Sequence, residues 1–583
     1  MKPKSTMGTR SNARPSSFLA LCTIALVCLG VAGTVQAGDS GPRRHAEGQY
    51  DPATATYRVV KDDDLTAIAE RLGVSVAELR AANGLGSDRI DIGQALRIAT
   101  DSPSASPKYA PDVPAKITTP DTVETRIGTL RFQDGAPDPA TVQLAYDQLD
   151  FGRSIDAFLK GMSATSVYAA CRGLEEAGVK PNQGIGISEE LLDARSLFLT
   201  ANTTTVYTMA CLDLNDEPMV LRVPPRVLGP IDDADFRWVT DVGLTGPDKG
   251  AGGDYLFIPP GYQGTVPATG YHIMRPRTNR LLMFYRAFVE KGDIAAAVEG
   301  VKSKAAVFPL AQSGNPPATQ FVNLSGVTFN TISANDFSFY EELNGVVQNE
   351  PADWVDPDTV GLYAAIGIRK GQAFAPDARM KTILTESAAV ANAIARANLL
   401  ASRDPRTRIY PDRQWITPFV GGSYEFLQGA ERLLDARIMF FYYATGITPA
   451  MTEAKPGMGS AYAGVFRDST GNYLDGGRTY RVTLPGPVPV KDFWALTVYD
   501  NQTRSMLPTD QKRAGVDSTL PDIRTNPDGG VTVWFGPEPP LGHEGNWVQT
   551  IPGKGYSVLL RLYGPLEPWF DQTWRPGDFE EAR

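Results

Sequence analysis

The sequence predicts an α+β protein: a small βααβ module at the front, then two sheet-rich domains of jelly-roll or sandwich character joined by a helical connector. Three observations carry this reading. Between Tyr57 and Ile98 the apolar spacing switches from strand-like alternation to helical periodicity and back. From Thr100 to Asp121 five prolines and no apolar periodicity mark an extended spacer. Beyond it, short runs rich in β-branched and aromatic residues, punctuated by Gly and Pro, gather in two groups with helical spacing between them. The expected divisions are a leader over 1–37, the module over 56–99 and the linker over 100–121. The body then divides into a first sheet-rich domain over 122–330 with its core at about 188–318, a helical connector over 331–460, and a second sheet-rich domain over 461–575. A chain of 583 residues, 42% hydrophobic and 21% charged, can bury several such cores.

Taken in order, the leader comes first. Lys2, Lys4, Arg10 and Arg14 precede the apolar run from Phe18 to Gly33, and Val35-Gln36-Ala37 forms a small-x-small cleavage pattern before Gly38. These residues predict export and processing after Ala37, giving a periplasmic or secreted product. The run is too short for a confident membrane span and no later stretch is longer, so no integral membrane segment is expected after cleavage. A formal charge of -10 and the lack of a long Lys/Arg block argue against a nucleic-acid partner. Once Cys22 and Cys28 leave with the leader, Cys171 and Cys211 remain, and spacing leaves open whether they form a bridge or stay as two buried thiols.

In the module, Tyr57 and Val59 alternate as a strand. Asp63 or Asp64 then caps a helix whose apolar positions are Leu65, Ile68, Ala69 and Leu72, and Gly73 stops it. Ser75 and Glu78 form a capping box for a second helix that runs to Asn83-Gly84, and Ile90 to Ile98 returns as a strand. These residues resemble the LysM family: Tyr57-x-Val59, Asp63-x-Leu65, Ile68-Ala69, Val76-x-x-Leu79, Asn83 and Ile92-Gly93-Gln94-x-Leu96. The resemblance implies a βααβ fold that binds peptidoglycan or another N-acetylglucosamine polymer. By position it gives Asp63, Asp64, Asn83 and Ile90 as glycan-binding candidates. The chain departs from the pattern at Asp62-Asp63-Asp64, where the family usually has Gly-Asp-Thr.

The body opens with Thr141 to Gly178, whose apolar positions Leu144, Leu149, Phe151, Ile155, Phe158 and Leu159 predict two amphipathic helices broken near Gly161. Strand-like runs follow in "RSLFLTANTTTVYTMACLDL", "PMVLRVPP", "YLFIPPGY" and "LLMFYRAFV", then helical spacing around Asp293–Lys304, Asp336–Val347 and Met380–Ser402. Strands return in "TYRVTLP", "FWALTVYD", "VTVWFG" and "YSVLLRLYG". The stretches "RSLFLTANTTTVY" and "DVGLTGPDKGAGGDYLFIPPGY" resemble the bacterial domain of unknown function DUF1254. "VYDNQTRSMLPTDQ", "NPDGGVTVWFGPEPP", "EGNWVQTIPGKGY" and "RLYGPLEPWFDQTWRPG" resemble its frequent companion DUF1214. That resemblance implies a sheet-rich envelope protein and supplies no activity. Its Asn-x-Asp-Thr-x-Tyr core is altered here: Asn202 and Tyr207 are kept and Thr204 stands for the Asp.

The search for chemistry excludes more than it finds. Of the three histidines, His45 precedes the module, and His272 and His543 show neither an HExxH pattern nor a Cys partner at zinc spacing, so no metal is assigned. "GGSYE" and "GMGSAYAG" miss the Gly-x-Ser-x-Gly register of a nucleophile elbow. "GPDKGAGG" leads into a strand rather than a helix, so it offers phosphate no helix N-terminus, and no cofactor is assigned. One constellation of polar residues at strand ends and turns points to a ligand site: Asp500, Arg504, Glu544, Asn546 and Trp547, with Asn202 and Tyr207 as further candidates. Two function classes follow. One is an envelope protein of unassigned activity, tethered to glycan, whose paired domains bind a ligand or partner. The other is a carboxylate-based cell-wall or polysaccharide enzyme localised by the module. Whether it is an enzyme at all, and its oligomeric state, are not specified by the sequence.

Overall fold

The computed structural model describes residues 50–99, 109 and 111–582. The predicted leader and His45 lie outside the described residues. The chain divides into two compact units, Met1–Thr118 and Thr119–Arg583.

In the first unit, strands Tyr50–Asp51, Thr56–Arg58 and Ala95–Arg97 form an antiparallel sheet in that order, and helices Leu65–Leu72 and Val76–Asn83 come between the second and third strands. The edge strand Tyr50–Asp51 adds to the expected βααβ. Asp64 Oδ1 accepts from Ala67 N at 2.7 Å, and Ser75 and Glu78 make the reciprocal capping box. Gly73 and Gly84 close the two helices in left-handed conformation, at φ 70° and 63°. Tyr57, Leu65, Ile68, Leu79 and Leu96 are buried between sheet and helices. Each side chain of this size contributes about 1.5–3 kcal/mol when taken out of water.

The second unit holds two sandwiches and a layer of helices. In the first sandwich, a six-stranded sheet runs in the order Trp238–Gly243, Val227–Asp233, Arg280–Phe288, Thr205–Asp213, Gly184–Ile187, Gln320–Asn323. A four-stranded sheet, His272–Met274, Gly253–Phe257, Met219–Val223, Ala306–Pro309, packs on one face of it. Alternation along the strands separates the two faces. Leu281, Met283 and Tyr285 fill the core between the sheets, whereas Leu282 and Phe284 join the helical core on the other side. The six-stranded sheet is therefore covered on both faces.

The helical layer consists of Pro139–Glu176, Ser338–Asn349, Pro357–Ala365, Ala378–Leu400 and Leu434–Tyr443. Where two helices broken near Gly161 were expected, a single 38-residue helix runs from Pro139 to Glu176. A helical glycine costs only about 1 kcal/mol relative to Ala, and packing outweighs it. The glycines here let neighbours approach. A Cβ on Gly161 would lie 3.0 Å from Leu343 Cδ1, and one on Gly173 would lie 1.8 Å from the Asn330 carbonyl oxygen. Cys171 on this helix is disulfide-bonded to Cys211 on the strand Thr205–Asp213, with Cα atoms 5.7 Å apart.

The second sandwich pairs a sheet ordered Ser460–Val465, Tyr556–Pro565, Val490–Asp500, Gly515–Asp517 with one ordered Trp547–Gln549, Val531–Gly536, Tyr480–Leu484, Glu580–Glu581. Val482, Leu496, Val498, Val533, Val558 and Leu560 fill its core. Leu559, on the opposite face of its strand, belongs to the helical core shared with the first sandwich.

Candidate functional site

Two strands whose interiors are almost wholly apolar each place one arginine there, on the face away from their own sandwich core; a further arginine, Arg280, stands at the start of the first strand and pairs with Asp213. Arg286 lies in the row Leu228–Arg286–Tyr207 across the six-stranded sheet. Arg561 lies in the row Tyr462–Arg561–Ala495 across the inner sheet of the second sandwich. Both arginines line a single cleft where the two sandwiches and the helix Leu434–Tyr443 meet, with ≈ 920 Å³ of empty space, its open mouth included. Its walls are apolar and largely aromatic: Phe198, Phe284, Phe419, Phe440, Met451 and Leu559.

The two cations are held differently. Arg561 is 3% exposed, and its guanidinium donates to Thr497 Oγ1 at 3.1 Å, to the Tyr499 hydroxyl at 2.7 Å and to the Thr200 carbonyl. Tyr499 in turn donates to the Ala201 carbonyl at 2.6 Å, so the second sandwich grips the Thr200–Ala201 segment of the first. Arg286 is half-buried, and its one such partner among the described residues is the Tyr462 hydroxyl. The ionisable groups bearing on both arginines are the phenols of Tyr207, Tyr462 and Tyr563, and no carboxylate ion-pairs with either among the described residues. Cations taken out of water in this way are ordinarily paired. The cleft also holds Thr445, 8% exposed, whose hydroxyl is buried without a partner among the described residues.

Nearby acidic side chains do not serve as counter-ions. Asp233 is paired with Arg237 at 2.7 Å. Asp241 accepts from Trp238 Nε1 at 2.9 Å. Asp232, fully buried, accepts from the Ile447 amide at 2.9 Å, and burial pushes its carboxyl well above the usual carboxylate range.

Of the residues singled out from the sequence, Asn202 and Tyr207 come together here. Asn202 N and Nδ2 donate to the Tyr207 hydroxyl at 3.2 and 3.1 Å, and Tyr207 lines the cleft. Asn202 Oδ1 accepts from the amides and hydroxyls of both Thr204 and Thr205, which fixes the turn into the strand. Arg504 lies outside the cleft, 4% exposed, with its guanidinium carbon 4.0 Å from the centre of the Tyr442 ring. It donates to the carbonyls of Tyr442 and Gln502, and burial lowers its pKa to about 10. Asp500 is bound by Lys554 Nζ at 2.5 Å and by the Gln502 amide.

Trp547 opens a strand of the outer sheet of the second sandwich, and Glu544 and Asn546 lie in the 3-10 turn before it; none of the three shares a hydrogen bond with Arg504 among the described residues. Glu544 is exposed and accepts from Gly542 N. Asn546 ties the backbone of Arg524 to that of Thr532, and Trp547 Nε1 donates to the Gly536 carbonyl at 3.0 Å. In the first unit, the Asp63 carboxylate accepts from the Tyr57 hydroxyl and the Val60 amide, and Asn83 bonds the backbone of Leu79 and Arg97. Asp64 is exposed, and Ile90 packs on the module core.

Arg286 and Arg561 did not emerge from the sequence reading. Their signal was nonetheless present: one guanidinium in the run "LLMFYRAFV" and another in the run "YSVLLRLYG", with no other charged residue inside either run.

Comparison with known proteins gives three segment matches: a LysM domain over residues 57–99, a protein of unknown function (DUF1254) over 182–309, and a protein of unknown function (DUF1214) over 459–567. No curated protein matches. Among solved structures, the VPA0106 protein from Vibrio parahaemolyticus is 18% identical, the match covering 74% of this chain and 100% of that one, at a TM-score of 0.47. An uncharacterized protein from Burkholderia cenocepacia is 14% identical, covering 75% and 96%, at a TM-score of 0.34.

Proposed function

We propose that this chain is an exported cell-envelope binding protein, retained on peptidoglycan or another N-acetylglucosamine polymer by its first unit, whose body takes an anionic ligand in the cleft between the two sandwiches. A LysM domain suggests the glycan, and the basic, apolar and cleavage segments of the first 37 residues support export. The observation that carries the body's part is the pair Arg286 and Arg561, set in one cleft with no carboxylate among the described residues ion-paired to either. The residues lining that cleft include no Asp or Glu, so the facing carboxylates of glycoside hydrolysis find no support there.

Both parts can be tested on the purified chain. Deleting Tyr57–Ile98 is expected to abolish co-sedimentation with isolated peptidoglycan; equal recovery of full-length and deleted protein would refute the tether. For the body, sulfate is expected to raise the melting temperature above that in chloride at equal ionic strength, and Arg286→Gln to remove the difference. An unchanged sulfate effect in that variant would refute the anion site.

A further inference from the structure

We infer that the cleft between the sandwiches takes an amphiphilic carboxylate, its headgroup on Arg286 within the charge of Arg561 and its apolar body against Phe198, Phe284, Phe419 and Phe440. This rests on the reading of the cleft as an anion site and goes further by naming the ligand class.

Three features select that class. First, the donors are unequal. Arg561 has committed its guanidinium to Thr497, Tyr499 and Thr200, so it supplies a fixed positive field more than a free fork. Arg286 has one such contact among the described residues, with the Tyr462 hydroxyl, and the rest of its planar fork can match the two coplanar oxygens of a carboxylate. A phosphoryl group, with three oxygens and up to two charges, would call for donors beyond this one fork.

Second, the walls are aromatic and aliphatic, with threonine, serine and tyrosine hydroxyls as the remaining polar side-chain groups. Sugars and peptides need many convergent hydrogen bonds, whereas an acyl or aryl body needs mainly apolar contact. Third, the cleft is bounded by both sandwiches and the helix Leu434–Tyr443, an enclosure that suits a small molecule more than a polymer chain. Displacing water from the apolar walls strengthens the contact between guanidinium and carboxylate, because charges interact more strongly as the local dielectric falls.

The test uses the full chain and calorimetric titration below the micelle concentration of each probe: decanoate, decyl phosphate, decan-1-ol and acetate. Decanoate is expected to bind at one site, with decan-1-ol and acetate weaker by about tenfold or more, since each lacks one half of the recognition. Arg286→Gln is expected to weaken decanoate by about tenfold, with Arg286→Lys intermediate because it keeps the charge and loses the fork. Melting temperatures of both variants should stay near that of the parent chain, as Arg286 gives up only its contact with the Tyr462 hydroxyl. Decan-1-ol matching decanoate, or decanoate binding unchanged in Arg286→Gln, would overturn the assignment. Decyl phosphate binding more tightly than decanoate, in an Arg286-dependent way, would overturn the carboxylate class and leave the anion site standing. Failure of every anion, sulfate included, to respond to Arg286 would overturn both.

Discussion

Removing the bridge between Cys171 and Cys211 should cost the body several kcal/mol. The two cysteines are 40 residues apart in sequence, and one sits on the long helix while the other sits in the middle of the six-stranded sheet. The chain-entropy relation for a loop of that length gives a stabilisation of ~4 kcal/mol, by denying the unfolded chain its separated conformations. Both side chains are almost fully buried, at 3% and 4% exposure, so a double Cys171→Ala, Cys211→Ala variant also loses buried sulfur and cannot fall short of that figure on packing grounds. The assay is guanidinium unfolding of oxidised parent and double variant, with hydrogen exchange over Thr205–Asp213 reporting the transition that involves this sheet. Native mass measurement after alkylation gives the redox state directly. A difference below ~1 kcal/mol, or alkylation of both thiols in the folded protein, would refute the entropic argument or the bridge itself.

Two other predictions concern backbone crowding and buried charge. Gly173→Ala should destabilise the body by about 3 kcal/mol or more, because its methyl would strike a backbone carbonyl, whereas Gly152→Ala on the same helix meets no atom within 4 Å and should stabilise by about 0.5–1 kcal/mol; melting curves showing the same sign for both would contradict the packing described. Asp232 has a folded pKa well above its ordinary value of 3.8, so its contribution favours the folded state in acid and is lost as pH rises from that value through the raised one. Asp232→Asn should therefore gain stability relative to the parent as pH rises from 4 towards neutrality, and parallel pH profiles of melting temperature would rule this out.

Much of the first unit could be read directly from the sequence because its signals are local. Asp64, Ser75 with Glu78, Gly73 and Gly84 each act within one helical turn, and each appears where the spacing put it. The paired sheet-rich domains and the helical region between them were legible for a similar reason, since strand alternation is a property of neighbouring residues. Gly161 was misread because its role depends on Leu343, far along the chain, and a helix-breaking tendency of about 1 kcal/mol yields to a buried helical contact. The cleft was illegible for the same physical reason. Arg286 and Arg561 come from different domains and meet only in the folded body. The polar turn residues Glu544 and Asn546, more conspicuous in sequence, satisfy their own backbone.

The connection between Cys171 and Cys211 also bears on the order in which the body can be assembled. The long helix presents its buried face to Ser338–Asn349 and Ala378–Leu400, segments that leave the ribosome only after the whole first sandwich. Until then, much of that apolar face has no permanent cover, the situation in which large proteins are most prone to aggregation. Cys211 arrives far sooner, so oxidation can fasten the helix to its sheet while its helical partners are still being made. In an oxidising compartment the bridge would act as a temporary clasp before it acts as a brace. A reducing environment would leave the helix waiting unfastened.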